Sequence, residues 1–182
     1  MTKKIRTWKP DLTKQLDANG WSPLHFAAYV GCDPTIVTQL LEKRDEYQYV
    51  VYLGVKYNGI EKRTALHIAA SRGHGEIVKL LVSHFPDCCE KVDDKGNNVL
   101  HLIMQQKKIL LTSGLSNIPW LWGRGLTHEK NDEGKTPFHL FDESIEDGTI
   151  IPSKMLSTWT WIRDTLTVRP SKFSISLCIV SF

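Results

Sequence analysis

The sequence predicts an all-α fold, a solenoid of stacked helix-turn-helix units with β-hairpin fingers. A leucine-histidine or phenylalanine-histidine pair occurs four times in the 182 residues, and its histidines lie 42, 34 and 38 residues apart. After the first two of these pairs, apolar residues follow at the spacing of a helix. Two short helices fit into each interval, so the copies indicate successive units of one array. The four histidines are His25, His67, His101 and His139.

A tight turn is predicted at the start of three of the four units. Asp or Asn lies eight residues before the histidine, and Gly lies five residues before it, as in Asp17 and Gly20. An Asp or Asn side chain can accept hydrogen bonds from the backbone just after it, and glycine tolerates a positive φ. The second copy has Gly59 and Lys62 instead, so the turn pattern breaks there.

Each turn leads into a short first helix. Ser22 is suited to cap that helix, and Pro23 to its first position, where no backbone N–H is needed. Leucine and two alanines then share one helical face at positions i, i+3 and i+4 in the first two copies. Small residues there let a neighbouring helix approach closely. These residues are Leu24, Ala27, Ala28, Leu66, Ala69 and Ala70.

A second short helix completes each unit. Asp33 is a natural cap before Pro34. Helices of this length are below the roughly 12–15 residues at which isolated helices persist in water, so they depend on packing against the next pair. The apolar stripes of the first two copies are Ile36, Val37, Leu40 and Leu41, then Ile77, Val78, Leu80 and Leu81.

The pattern D-x-x-G-x-[ST]-P-L-H-x-A-A-x-x-G followed by I-V-x-x-L-L resembles the ankyrin repeat, whose period is about 33 residues. The resemblance implies a non-catalytic module that binds another protein. It also implies that each histidine and the hydroxyl three residues before it make hydrogen bonds within and between repeats, for which Asn98 in the third copy is a weaker match. The structural residues predicted in this way are Ser22, His25, Gly31, Thr64, His67, Gly73, His101, Thr136 and His139.

One segment, residues 8–43, is similar in sequence to plant ankyrin proteins of the accelerated-cell-death type. It reads WKPDLTKQLDANGWSPLHFAAYVGCDPTIVTQLLEK. In that family the repeats precede a multi-span membrane domain. The resemblance implies a role in plant immune or stress signalling at the cytoplasmic face of the plasma membrane. No run of roughly 20 apolar residues occurs in this chain, so no transmembrane span is predicted. The alternative is that the chain is a truncated, soluble remnant of such a membrane protein.

The domain boundaries follow from the copies. Larger side chains replace alanine in the third and fourth copies, at Ile103 and Phe141 for example, which predicts weaker stacking toward the C-terminus. Residues 143–182 form an extension that could hold a capping helix and a tail. The predicted divisions are the end of a preceding repeat at 1–16 and repeats at 17–142, divided at about 17–58, 59–92, 93–130 and a partial 131–142.

A long finger is predicted between the first two histidines. The segment YQYVVYLGVKYNGIEKRT places Asn58-Gly59 between extended flanks, which is a strong β-hairpin signal. Four tyrosines in this segment could present their rings to a partner protein, because tyrosine is enriched at binding hot spots. The alternative is that half of them fold back on the finger. The tyrosines are Tyr47, Tyr49, Tyr52 and Tyr57.

Composition and motifs favour a cytoplasmic protein without enzymatic chemistry. The net charge of +3 does not indicate nucleic-acid binding. The four cysteines form no regular framework and the N-terminus has no secretory signal, so a reducing compartment is expected. A zinc enzyme is a remote alternative, for which the candidate residues are His74, Glu76 and the Cys88-Cys89 pair. The two adjacent thiols do not match the C-x-x-C spacing of zinc deaminases. No catalytic, cofactor-binding or metal-binding residue and no small-molecule substrate are therefore predicted.

Overall fold

The computed structural model describes residues 15–41, 49–106 and 125–145. Short helices alternate with turns throughout these ranges, and a two-stranded antiparallel sheet precedes the second unit. Residues 49–52 are helical, and a 3-10 helix follows the second helix of the second unit. The elements are α1 (Pro23–Val30), α2 (Pro34–Leu41), β1 (Val55–Tyr57), β2 (Ile60–Arg63), α3 (Ala65–Arg72), α4 (Gly75–His84), the 3-10 helix (Pro86–Glu90), α5 (Val99–Gln105) and α6 (Pro137–Ile145).

The helices pack in chain order. The first helices of successive units contact one another, α1 with α3, α3 with α5, and α5 with α6, while the second helices α2 and α4 also contact each other. One apolar core runs through these contacts and includes Leu24, Ala28, Leu66, Ala70 and Leu100, each at most 1% exposed. Helices of seven to ten residues would not persist alone, so these contacts hold them. The chain therefore has the predicted helix-turn-helix repeat fold with a small hairpin.

Larger side chains fill the core of the third and fourth units. Ile103, Met104 and Phe141 are at most 2% exposed, and Phe138 is 8% exposed. In the first two units, alanine lets the helices approach closely. In the third and fourth units, these larger side chains fill the space between the helices instead. Among the described residues of the third and fourth units, α5 and α6 thus enclose a buried core, and weaker packing is not seen there.

Tight turns begin the first, third and fourth units. In the first, the Oδ1 atom of Asp17 accepts hydrogen bonds from the backbone N–H groups of Asn19 and Trp21, both at 2.8 Å. Gly20, at the fourth corner, has a φ of 79°, which glycine adopts without steric cost. The turn chemistry predicted from the sequence is therefore present.

The β-hairpin has the predicted turn but shorter extended flanks. Asn58 and Gly59 have φ values of 52° and 77°, as a type I′ turn requires. The strand register shifts by one residue between the pair Tyr57–Ile60 and the pair Val55–Arg63, which makes a β-bulge. Lys62, at a φ of 59°, lies within it. The extended flank predicted from Tyr47 is wrong for residues 49–52, which are helical, and Tyr47 lies outside the described residues.

Substitution of Gly31 by alanine is expected to lower the free energy of unfolding by about 2 kcal/mol. Gly31 caps α1 at a φ of 74°, and a Cβ atom there would lie 2.3 Å from the ring of His74. Gly20→Ala is the matched control, because it has the same backbone strain but nothing within 4 Å of its Cβ position. Urea unfolding of both variants measures the difference, and equal losses would show that contact with His74 carries no cost.

Candidate functional site

The first repeated histidine connects the start of α1 to the segment before β1. The Ser22 hydroxyl donates to Nδ1 of His25 over 2.7 Å, and the backbone N–H of His25 donates back to Oγ of Ser22 over 3.4 Å. Nε2 of His25 donates to the carbonyl oxygen of Leu53 over 3.1 Å. A carbonyl oxygen can only accept, so Nε2 carries the proton and Nδ1 is the acceptor. Both ring nitrogens are therefore engaged in holding the fold.

The next two histidines occupy the same position in their own units. The Thr64 hydroxyl donates to Nδ1 of His67 over 2.8 Å, and Nε2 of His67 donates to the carbonyl oxygen of Lys91 over 3.1 Å. Nε2 of His101 donates to the carbonyl oxygen of Lys135 over 3.0 Å. His25, His67 and His101 are each 0% exposed, and each has its own set of partners. They form successive links along the array and do not meet in a common cavity.

Burial keeps these three imidazoles neutral. Loss of hydration lowers the pKa of His67 from 6.5 to about 4, and it lowers the pKa of His25 and of His101 in the same direction. The neighbouring Asp93 carboxylate opposes the shift at His67, but desolvation is the larger effect. A buried, neutral imidazole with both nitrogens bonded does not offer a free base or a metal ligand.

The fourth histidine lies at the end of the described repeats. Thr136 Oγ1 lies 2.6 Å from Nδ1 of His139, as in the earlier units. His139 is nevertheless exposed. The structure describes no repeat after it that could supply a carbonyl group to Nε2.

Asn98 caps α5 more extensively than the sequence suggested. Its Oδ1 atom accepts from the backbone N–H groups of Leu100 at 3.0 Å and His101 at 3.2 Å. Its Nδ2 atom donates to the carbonyl oxygen of Leu126 at 3.0 Å and to Glu129 Oε2 at 2.7 Å. The amide therefore combines the capping role of Ser22 and Thr64 with two bonds to the following segment, which a hydroxyl group is too small to make.

A buried polar network joins the end of β2 to the turns of the third and fourth units, and it was not predicted from the sequence. Arg63 Nε donates to Asp93 Oδ2 over 3.3 Å, with the two side chains 8% and 0% exposed. Asp93 Oδ1 also accepts from the backbone N–H groups of Lys95 at 3.0 Å and Asn97 at 2.9 Å. The Asn131 side chain donates to Asn97 Oδ1 over 2.9 Å. These bonds hold β2 and the two following turns in register.

Aromatic side chains cluster on the first unit and the hairpin. The centre of the Trp21 ring lies 5.1 Å from the ring centre of Phe26, 5.8 Å from that of Tyr29 and 6.0 Å from that of Tyr57. The Trp21 indole N–H donates to the carbonyl oxygen of Lys56 over 3.2 Å. The Trp21 ring is thus fixed on one side by the hairpin and on the other by α1.

Part of this cluster faces solvent. Phe26 is 45% exposed and Tyr29 is 38% exposed, while Trp21 is half-buried. They border an open cleft of about 460 Å³, called the aromatic cleft below. The guanidinium carbon of Arg72 lies 4.7 Å from the centre of the Tyr29 ring. The cleft is lined by Asp17, Asn19, Trp21, Phe26, Tyr29 and Lys56.

The predicted tyrosines have different surroundings. Tyr49 is 52% exposed, and Tyr52 is half-buried with Lys91 Nζ 5.6 Å from its ring centre. Tyr57 is only 6% exposed because it packs on Trp21 and on Tyr29, so its ring supports the cleft and is not offered to a partner. Partner binding by the other tyrosines stays a prediction. Trp21 and Phe26 were not predicted from the sequence as candidate binding residues. Their position on either side of the S-P-L-H motif could have indicated them.

The arrangement of the zinc-enzyme residues gives that alternative no support. His74 Nε2 donates to the carbonyl oxygen of Tyr29 over 3.2 Å, and Cys88 and Cys89 are buried in the 3-10 helix. A hydrogen bond with Cys89, together with burial, raises the pKa of the Cys88 thiol well above its usual value. Within the described ranges, no group of three or more His, Cys, Asp or Glu side chains is placed to hold a metal ion.

Among residues 15–41, 49–106 and 125–145, no helix has the length and apolar character needed to cross a bilayer.

Paired short helices that are linked from unit to unit by buried histidines define a helical-repeat protein. Family models agree with this class. The model for ankyrin repeats in three copies matches residues 48–114, and the model for a single ankyrin repeat matches residues 19–46. Together they cover just over half of the chain, which therefore belongs to the ankyrin-repeat family.

Three curated proteins are similar to this chain over part of their length. The target of rapamycin complex 2 subunit AVO2 of Saccharomyces cerevisiae is 25% identical over 86% of this chain and 33% of its own length. Human Rabankyrin-5 is 29% identical over 50% of this chain and 10% of its own. The Drosophila melanogaster transient receptor potential cation channel subfamily A member 1 is 29% identical over 50% of this chain and 8% of its own. The chain thus spans a third or less of these relatives, and they do not support the resemblance to plant accelerated-cell-death-type proteins.

Proposed function

We propose that this ankyrin-repeat module binds another protein through the aromatic cleft, and that its units stack as one continuous solenoid that presents the cleft. The observation that carries the proposal is the exposure of Phe26 and Tyr29 beside the half-buried Trp21. Aromatic rings bordered by polar side chains such as Asp17 and Lys56 are typical of the centre and rim of protein interfaces.

Preorganisation of the cleft favours binding. The Trp21 ring is held by its hydrogen bond to Lys56 and by ring contacts, and Arg72 lies over Tyr29. Binding would therefore lose little free energy to the ordering of these side chains, which is a cost that more flexible surfaces carry. The order of helix contacts, α1 with α3 and α3 with α5, supports the solenoid.

The biological setting is part of the proposal. AVO2 is, by its name, a subunit of a protein complex, which agrees with an interaction role for a chain similar to it. Plant immune or stress signalling and a place at the cytoplasmic face of the plasma membrane stay predictions of the family resemblance. The remnant alternative also stays a prediction. It would be favoured by a gradual loss of helical circular dichroism on heating, whereas a cooperative melt favours an independently folded module.

The double substitution Phe26→Ser and Tyr29→Ser is expected to reduce the recovery of bound partners at least tenfold. Removing two hot-spot rings costs on the order of 2 kcal/mol or more, which corresponds to roughly a thirtyfold loss of affinity. Affinity capture with quantitative mass spectrometry measures the recovery. Both rings are already well exposed, so circular dichroism should show an intact fold.

Two control variants separate this surface from others. Val92→Ser changes an apolar residue at the end of the second unit that is 43% exposed, and it should leave recovery unchanged. Tyr49→Ser tests the tyrosine-bearing segment independently of the cleft. Equal recovery of every partner by the double variant and the parent chain would show that the aromatic cleft does not bind them.

A further inference from the structure

The turn residues of three units differ in what the second atom of their side chains binds. Asp17, Asp93 and Asn131 occupy the same turn position, and the Oδ1 atom of each accepts from the backbone N–H groups two and four residues later. Asp93 Oδ2 accepts from Arg63 Nε, and Asn131 Nδ2 donates to Asn97 Oδ1. In the part of the chain that the structure describes, no donor is placed on Asp17 Oδ2.

The surroundings of Arg63 show how this fold holds a guanidinium group. The guanidinium carbon of Arg63 lies 5.7 Å from the centre of the Tyr57 ring, and its Nε atom lies 3.3 Å from the Asp93 carboxylate. A second guanidinium, that of Arg72, lies 4.7 Å from the centre of the Tyr29 ring. A guanidinium binds both kinds of partner because its plane stacks on ring faces and its N–H groups match a carboxylate. A turn carboxylate near an aromatic ring is therefore a guanidinium-binding arrangement in this chain.

The aromatic cleft contains the same two kinds of group at the surface. The exposed Asp17 lines it together with three aromatic rings, those of Trp21, Phe26 and Tyr29. Lys56 also lines the cleft, but its charge is matched by Glu61 at 2.9 Å. Asp17 forms no ion pair with another described residue. The cleft is therefore complementary to a group that is positively charged and has a flat face to stack on the rings.

We propose that the partner segment bound in the aromatic cleft carries an arginine, whose guanidinium bonds to Asp17 Oδ2 and stacks on the exposed rings. The inference rests on the proposed function and adds the chemistry of the partner residue. The partner arginine binds Asp17 as Arg63 binds Asp93. Lysine fits less well, because its ammonium is a compact, strongly hydrated charge without a plane to stack. Water displaced from the rings on binding strengthens the ion pair.

Titration of the full chain with N-acetyl-arginine methylamide tests the proposal. The indole N–H signal of Trp21 in a two-dimensional NMR spectrum reports on the cleft, and the variant Trp21→Phe assigns that signal. The signal should shift as the arginine derivative is added. The citrulline derivative has the same shape without the charge, so it should bind about fivefold more weakly or less well still. Equal affinity for the two derivatives, or no shift with either, would overturn the proposal.

Asp17→Asn removes the charge and keeps the turn. Asn131 shows that an amide oxygen accepts both turn bonds, at 3.1 and 2.9 Å. Affinity for the arginine derivative should fall about fivefold in this variant, as expected for the loss of one partly exposed ion pair. Asp132→Asn is the matched control, since it removes an exposed carboxylate from the turn of the fourth unit and should leave the affinity unchanged. Equal affinities of Asp17→Asn and the parent chain would overturn the proposal.

A random peptide library displayed on phage separates this inference from the proposed function. Peptides that bind the full chain but not the double variant Phe26→Ser, Tyr29→Ser are cleft binders. Arginine should be enriched among them relative to the unselected library, and Asp17→Asn should weaken their binding. Cleft binders that lack arginine enrichment and bind Asp17→Asn equally well would overturn the inference and leave the protein-binding cleft standing. Peptides that all bind the double variant as well as the parent chain would overturn both.

Discussion

Replacement of Asp93 by alanine is expected to lower the free energy of unfolding by about 3–5 kcal/mol. The Asp93 carboxylate is fully buried and accepts from Arg63 Nε at 3.3 Å and from the backbone N–H groups of Lys95 and Asn97. Its removal leaves the Arg63 charge buried without its partner and leaves two turn N–H groups unsatisfied. Chemical denaturation followed by circular dichroism measures the loss.

Two comparisons identify the cause of that loss. Glu61→Gln breaks the Lys56–Glu61 ion pair at 2.9 Å, whose side chains are 66% and 52% exposed, and it should have little effect because water screens the pair. The double variant Arg63→Met with Asp93→Asn should recover part of the stability, because no buried charge remains. A loss from Asp93→Ala no greater than that from Glu61→Gln would contradict the assignment of a buried network.

Acidification is expected to destabilise the fold between pH 6.5 and about 4 through His67. The unfolded chain takes up a proton near the ordinary pKa of 6.5, whereas burial lowers the pKa of His67 in the folded state to about 4. Within that window the unfolded state binds more protons, so the free energy of unfolding falls as the pH falls. The contribution is complete above pH 6.5 and is lost by about pH 4, and it amounts to about 3 kcal/mol.

The pH dependence has a direct test in the variant His67→Gln. This variant should be less stable than the parent at pH 7.5, because the bonds to Thr64 and Lys91 are disturbed. The gap between the two chains should narrow as the pH falls to 4.5, since only the parent loses this contribution. Urea midpoints at four or five pH values measure the gap, and a constant gap would contradict the prediction. His25 and His101 act in the same direction in both chains, so their effect largely cancels.

The repeat fold could be predicted because its signals are local. The Asp17 turn, the Ser22 cap and the Asn58-Gly59 hairpin turn each depend on residues at most four positions apart. The error at residues 49–52 has a local cause as well. Tyrosine and valine are enriched in strands, but residues 49–52 are helical with Val50 and Val51 buried.

The candidate site was harder to predict because accessibility is a property of the whole array. Tyr57 looked available in the finger, yet Trp21 and Tyr29 bury it. Phe26 occupies a position that is buried in the three later units, so its sequence context favoured burial. Its exposure became evident only from the packing of the described units.

The sequence by itself determined the repeat, its turns, its helix caps and the histidines that recur in them. The tertiary structure decided how those units were joined and what they exposed. The bond from His25 to Leu53 spans 28 residues, and the bond from Arg63 to Asp93 spans 30. Propensity and spacing report on neighbours along the chain, whereas burial, pKa shifts and accessible rings depend on residues that only folding brings together.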